Sequence, residues 1–158
     1  MTRARIRRRL RSLALLELGN IPLQAVIWFG VVDLPATVAN VVGFVLFAVL
    51  LVEGAAYWLT KLRMLAGPVP GAFAVARVAN VPVLIAGLLF TGWTVVDAPS
   101  TGSLPGLVFA VVAALEHVNY FHTQLMYDTA SDLRHLRAHG LRRAHLARDL
   151  AARGSTPR

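Results

Sequence analysis

The chain has 158 residues, of which 56% are apolar and only 15% charged, with a mean hydropathy of +0.60; that balance excludes an ordinary soluble domain and points to one polytopic membrane domain. No cysteine is present, which excludes disulfides, thiolate metal sites and cysteine nucleophiles. The net charge of +8 resembles a nucleic-acid signal, but the basic residues gather beside hydrophobic segments, so nucleic acid is not an expected partner.

Residues 1–12 form a basic N-terminal segment with Arg3, Arg5, Arg7, Arg8, Arg9 and Arg11, expected as a helix where anionic lipid head groups meet it. Residues 13–127 form a transmembrane domain with four stretches, 13–32, 36–59, 72–96 and 104–127, each long enough to cross about 30 Å of hydrocarbon. Glu17, Asn20 and Pro22 interrupt the first apolar run and no small-x-small cleavage pattern follows; the reading is a retained span, not a cleaved leader. Lys61 and Arg63 lie between spans two and three, whereas the connections 32–36 and 97–105 contain Asp33 and Asp97 and no Lys or Arg. The positive-inside rule then puts both termini and the middle connection in the cytoplasm, as in a multi-pass protein of the cell membrane. Every basic residue except Lys61 is Arg, a bias that fits GC-rich coding and a bacterial inner membrane.

Residues 128–158 form a basic tail in which Leu133, Leu136, Leu141, Leu146 and Leu150 recur among Arg and His, with Gly140 as the break. That spacing predicts basic amphipathic helices on the inner membrane surface, followed by a disordered end from residue 154.

The spans carry an internal repeat. Glu53, Tyr57, Trp58, Thr60 and Leu62 recur 63 residues later as Glu116, Tyr120, Phe121, Thr123 and Leu125, and Asn20 and Pro22 recur 60 residues later as Asn80 and Pro82. The expected fold is all-α, with four transmembrane helices arranged as two parallel-repeat helical hairpins related by an axis along the membrane normal. The same 60-residue offset sets Glu17 against Arg77, and opposite charges at related positions predict a structural ion pair that neutralises both in hydrocarbon.

Depth sharpens the site. At about 1.5 Å per residue, Glu17, Asn20, Arg77, Asn80, Glu53, Glu116, Asn119 and Tyr120 fall roughly 7–16 Å below the inner surface. The outer halves of the spans are almost purely apolar, which predicts a polar cavity on the cytoplasmic side with a closed outer end. Glu116, Tyr120, Thr123 and Tyr127 share one helical stripe, and Glu53, Tyr57 and Thr60 the equivalent one. The candidate ligand-binding residues are Glu53, Tyr57, Asn20, Asn80, Glu116, His117, Asn119 and Tyr120. His117 and His122 are five apart and point away from each other, and Asn119 stands where a Glu-x-x-His pattern needs its histidine, so no metal is expected. Trp28, Trp58 and Trp93 read as interface or packing aromatics.

No phosphate loop, nucleophile elbow or H-E-x-x-H motif occurs in the chain. The reading is an integral membrane protein whose paired glutamates bind or translocate a small ligand, cation or proton, within a homo-oligomer or a membrane complex. A small membrane enzyme acting on a lipid or isoprenoid head group, and a non-catalytic accessory subunit, are the alternatives. Neither a cofactor nor an oligomeric state is legible.

Overall fold

In a computed structural model, which describes residues 3–64, 69–126 and 130–154, the chain is all-helical, with one isolated antiparallel bridge and no strand among the described residues. Helix α1 spans Arg3–Ala25 and continues through a wider π turn at Val26–Val31. Helices α2 (Val38–Met64), α3 (Ala72–Asp97) and α4 (Leu104–Phe121) follow, and the tail forms α5 (Ala130–His139) and α6 (His145–Gly154). Among the described residues, four helices are long and apolar enough to cross a membrane.

Arg, Leu and Ala are strong helix formers, and α1 runs unbroken from Arg3 into the apolar span. Pro22 and Pro82 both lie inside helices. Tyr127 and residues 155–158 lie outside the described residues.

Helices α2 and α4 form the centre. They cross so closely that a methyl group at Gly43 would overlap the Gly106 carbonyl, and one at Gly106 would overlap that of Ala39. With Ala110 and Ala113 also buried, the crossing uses the small-residue packing that replaces the hydrophobic effect as a driving force in lipid. Asn40, fully buried at this crossing, accepts from the Gly106 amide at 2.8 Å and donates to the Pro35 and Thr101 carbonyls, each at 2.9 Å. Thr37 caps α2 by accepting from the Asn40 amide at 3.2 Å, the ordinary N-cap role of threonine. One corner is thereby satisfied by protein groups.

Beyond that crossing, Phe44, Phe47 and Phe109 pack ring on ring, with Phe29 on Phe44 at 5.5 Å and Trp28 edge-on to Phe109 at 6.1 Å. Helix α1 flanks α2, and α3 packs on α4 and α2. Their outer faces stay apolar and exposed, as at Leu16, Val75, Val78, Leu89 and Trp93. Such surfaces are stable against lipid and costly against water.

Span four ends at Phe121, six residues before its predicted end at 127. There the Val118 carbonyl accepts from both the His122 and Thr123 amides, and Asn119 Oδ1 accepts from the Leu125 amide at 2.8 Å. The chain then turns extended and pairs with the tail, Gln124 N donating to the Arg142 carbonyl and Ala144 N to that of His122. Gly140, at φ 73°, separates α5 from α6, at the glycine that the sequence predicts as the break.

Candidate functional site

The polar residues gather where α1, α2 and α4 meet under the tail. Glu116, Asn119 and Tyr120 stand three and four residues apart on α4 and so share one face. Asn119 Nδ2 donates to Glu116 Oε2 at 3.2 Å, while its Oδ1 caps the broken helix end. One side chain thus ties the carboxylate to the point where α4 stops. Tyr120 donates its hydroxyl to Glu17 Oε1 of α1 at 2.9 Å and also lies against Glu116. Two carboxylates from different helices therefore converge on a single phenol.

Helix α2 makes room for that phenol. A methyl group at Gly54 would overlap the Tyr120 hydroxyl; glycine here serves close approach, not backbone freedom. Trp58, one turn further along, lies against Glu17 and packs at a tilt against Tyr57 with ring centres 4.7 Å apart. Glu17, Tyr57, Trp58, Asn119 and Tyr120 line a cavity of about 130 Å³, together with Arg9, Arg142 and His145.

The tail closes the cavity from below. Ala144, Leu146 and Ala147 are buried against the bundle, and Tyr57 donates its hydroxyl to Asp149 Oδ2 at 2.7 Å, which also pairs with Lys61 Nζ at 3.0 Å. Arg142 Nε donates to Gln124 Oε1 at 2.7 Å, bracing the bridge between the end of α4 and the tail. His145 packs edge-on to Trp58 at 6.1 Å. Burial first, then Arg148 and Arg142, holds the His145 imidazole below its ordinary range, so the ring is neutral at pH 7 and suited to accept from Arg148, 2.9 Å from its Nδ1.

The candidate residues divide into groups. Asn119, Tyr120 and Tyr57 line the cavity together with Glu17, and Glu116, outside the lining itself, contacts Asn119 and Tyr120. Glu53 does not line this cavity: its carboxylate accepts from Asn80 Nδ2 at 2.7 Å, joining α2 to α3. Asn20 stands in a ladder along α1, accepting from Gln24, which in turn accepts from the Trp28 indole at 2.8 Å. His117 is buried, with both ring nitrogens unpartnered, against Phe121; its ring centre also lies 5.6 Å from that of His122, so the two histidines do not point apart as their spacing predicts, because the helix ends at Phe121.

The expected Glu17–Arg77 ion pair is replaced. Glu17 faces Tyr120, Arg77 lines a separate groove on α3, and the two form no ion pair among the described residues. The physical reason is the placement of α2 and α4 at the centre, which leaves α1 and α3 as flanking helices. Among the described residues, no three of His, Cys, Asp and Glu come together as a metal site.

Four contributors escaped the sequence. Trp58, read as a packing aromatic, lines the cavity; Gly54 lies beside Glu53 in sequence but serves Tyr120; Asp149 and His145 come from the tail. Only Trp58 carried a local signal, since it follows Tyr57 within the repeated motif. Comparison with protein-family models, curated proteins and solved structures found no match.

Proposed function

We propose that this chain is a multi-pass protein of the cell membrane, with both termini in the cytoplasm, whose inner-leaflet cavity binds a small ligand bearing a cationic group. One observation carries the reading: Glu17 and Glu116 converge on the Tyr120 hydroxyl, and no Lys or Arg among the described residues pairs with either. Two carboxylates drawn together in a membrane interior are costly unless a cation or protons neutralise them. The Trp58 and Tyr57 rings add faces that attract an ammonium group. A volume of about 130 Å³ suits a small molecule, well below the several hundred Å³ of drug-sized sites.

The closed outer half favours binding from one side over passage through the monomer, because the Phe44, Phe47 and Phe109 cluster offers an ion no polar partner. Duplication of one helical hairpin is supported by the equivalence of Tyr57 and Tyr120. Each donates to a carboxylate from outside its own hairpin, Asp149 and Glu17 respectively. The copies then diverged, with Glu53 held by Asn80 and Glu116 left facing the second carboxylate.

A thermal-stability panel tests the proposal on the full chain in neutral detergent. Ethylammonium and tetramethylammonium are expected to raise the Tm with saturation, while acetate and glycerol leave it unchanged. Absence of stabilisation by either ammonium probe, or equal stabilisation of the Glu17→Gln/Glu116→Gln double variant, would overturn the proposal.

A further inference from the structure

A second concavity, of about 780 Å³, lies between the cytoplasmic end of α3 and the tail helix α6. Its only charged lining groups are two guanidinium-bearing residues, Arg77 of α3 and Arg143 just before α6; the rest of its wall is small or apolar, as at Gly71, Ala74, Val78 and Leu150. Arg77 is half-buried and has no carboxylate within ion-pairing distance among the described residues. Its electrostatic neighbour on α4 is His117, which supplies no negative charge. An uncompensated guanidinium about 8 Å along a membrane helix needs an anion.

The groove continues into a track. Val78, Val81, Ile85 and Leu89 are exposed on α3 at spacings of three, four and four, which places them on one face running toward the bilayer centre. A phosphate between the two arginines would be followed by apolar surface, in the order of groups found in a phospholipid.

We infer that this groove is a binding site for one anionic phospholipid of the cytoplasmic leaflet, its phosphate held between Arg77 and Arg143 and an acyl chain lying along Val78, Val81, Ile85 and Leu89. The site uses the bidentate fit of guanidinium to phosphate. It is independent of the carboxylate cavity, and a lipid in it would bridge a transmembrane helix to the tail.

Native mass spectrometry of the full chain, released from neutral detergent, reads this directly. Phosphatidylglycerol is expected to remain as a single resolved adduct, phosphatidylcholine to be retained more weakly, and glycerol phosphate not to compete. Arg143→Gln with Arg77→Gln is expected to lower phosphatidylglycerol affinity at least about tenfold, since each basic group near anionic lipid contributes about a factor of five. Arg63→Gln, which removes an exposed charge at the end of α2 that does not line the groove, is expected to leave the adduct intact. If Arg77→Gln fails to fold, Arg143→Gln alone, at an exposed position, carries the test with an expected loss of several-fold. Equal loss in Arg63→Gln and Arg143→Gln would reduce the effect to diffuse surface charge, and competition by glycerol phosphate would make the groove an anion site without lipid specificity; either result overturns the assignment.

Discussion

The Glu17–Tyr120 contact joins residues 103 apart in sequence, and that distance explains what the sequence could not offer. Glu116, Asn119 and Tyr120 were legible as one group because helical spacing is local: three and four residues on a single helix face fix their neighbourhood whatever the helix packs against. The partner of Glu17 depended on which helix faces which. Repeat symmetry pointed it to Arg77, whereas the glycine and alanine stripe on α2 and α4 brings those two helices to the centre and turns Glu17 toward α4. Tyr120→Phe removes the donor to Glu17 and is expected to destabilise the protein by about 1.5–3 kcal/mol, the range for hydrogen bonds to charged groups. Thermal unfolding in micelles checks it, with Gly54→Ala expected to act on the same contact by displacing the phenol.

Asn40 offers a contrast at the same scale. It sits in an apolar run and belongs to no polar cluster in the sequence, because its partners are backbone groups brought in by the fold. Asn40→Ala is expected to cost about 1–3 kcal/mol for each buried group left unpaired, whereas Asn20→Ala, which breaks only a contact along one helix, is expected to cost well under 1 kcal/mol. Unfolding midpoints of the two variants compare them directly.

Among the elements, α6 departs furthest from its expected place. Leucine spacing predicted a helix on the membrane surface, and the helix is present, but Leu146 and Ala147 are buried against the bundle. An amphipathic pattern fixes which face is apolar, not whether lipid or protein covers it. Asp149 decides the matter here by receiving both Tyr57 and Lys61. Tyr57→Phe is therefore expected to loosen α6 and to speed tryptic cleavage at Arg142 and Arg143.

Docking of α6 also has a predicted pH dependence. His145 is held below its ordinary value of 6.5 by burial, Arg148 and Arg142, against the opposing pull of Asp149. The docked tail keeps its full stability above about pH 6.5 and loses it as pH falls below, because the undocked imidazole takes up a proton that the docked one resists. Cleavage at the same arginines is expected to be faster at pH 5.5 than at pH 7.5, and His145→Gln to flatten that difference.

For the molecule as a whole, the all-helical character and four helices long and apolar enough to cross a membrane were legible from hydropathy, because membrane length and backbone satisfaction leave few alternatives. The early end of α4 was not, since it depends on Asn119 capping the helix and on the tail supplying a strand-like partner. Orientation rests on the distribution of Arg and Lys and can be measured simply, because the native chain has no cysteine. Single cysteines at Asp33 and Ser100 are expected to react with an impermeant maleimide added outside intact cells, and one at Ser12 only after permeabilisation. Reaction at Ser12 in intact cells would reverse the orientation.

The central claim is that the functional carboxylates are Glu17 and Glu116 around Tyr120, and not the repeated pair Glu53 and Glu116. Trp58 lies against Glu17, and replacing Trp28 and Trp93 by Phe leaves it as the only indole in the chain. Fluorescence of that protein, titrated with ethylammonium, is predicted to change with saturation, to lose the change in Glu17→Gln, and to keep it in Glu53→Gln. Retention of the saturable change in Glu17→Gln, or its loss in Glu53→Gln alone, would contradict the account.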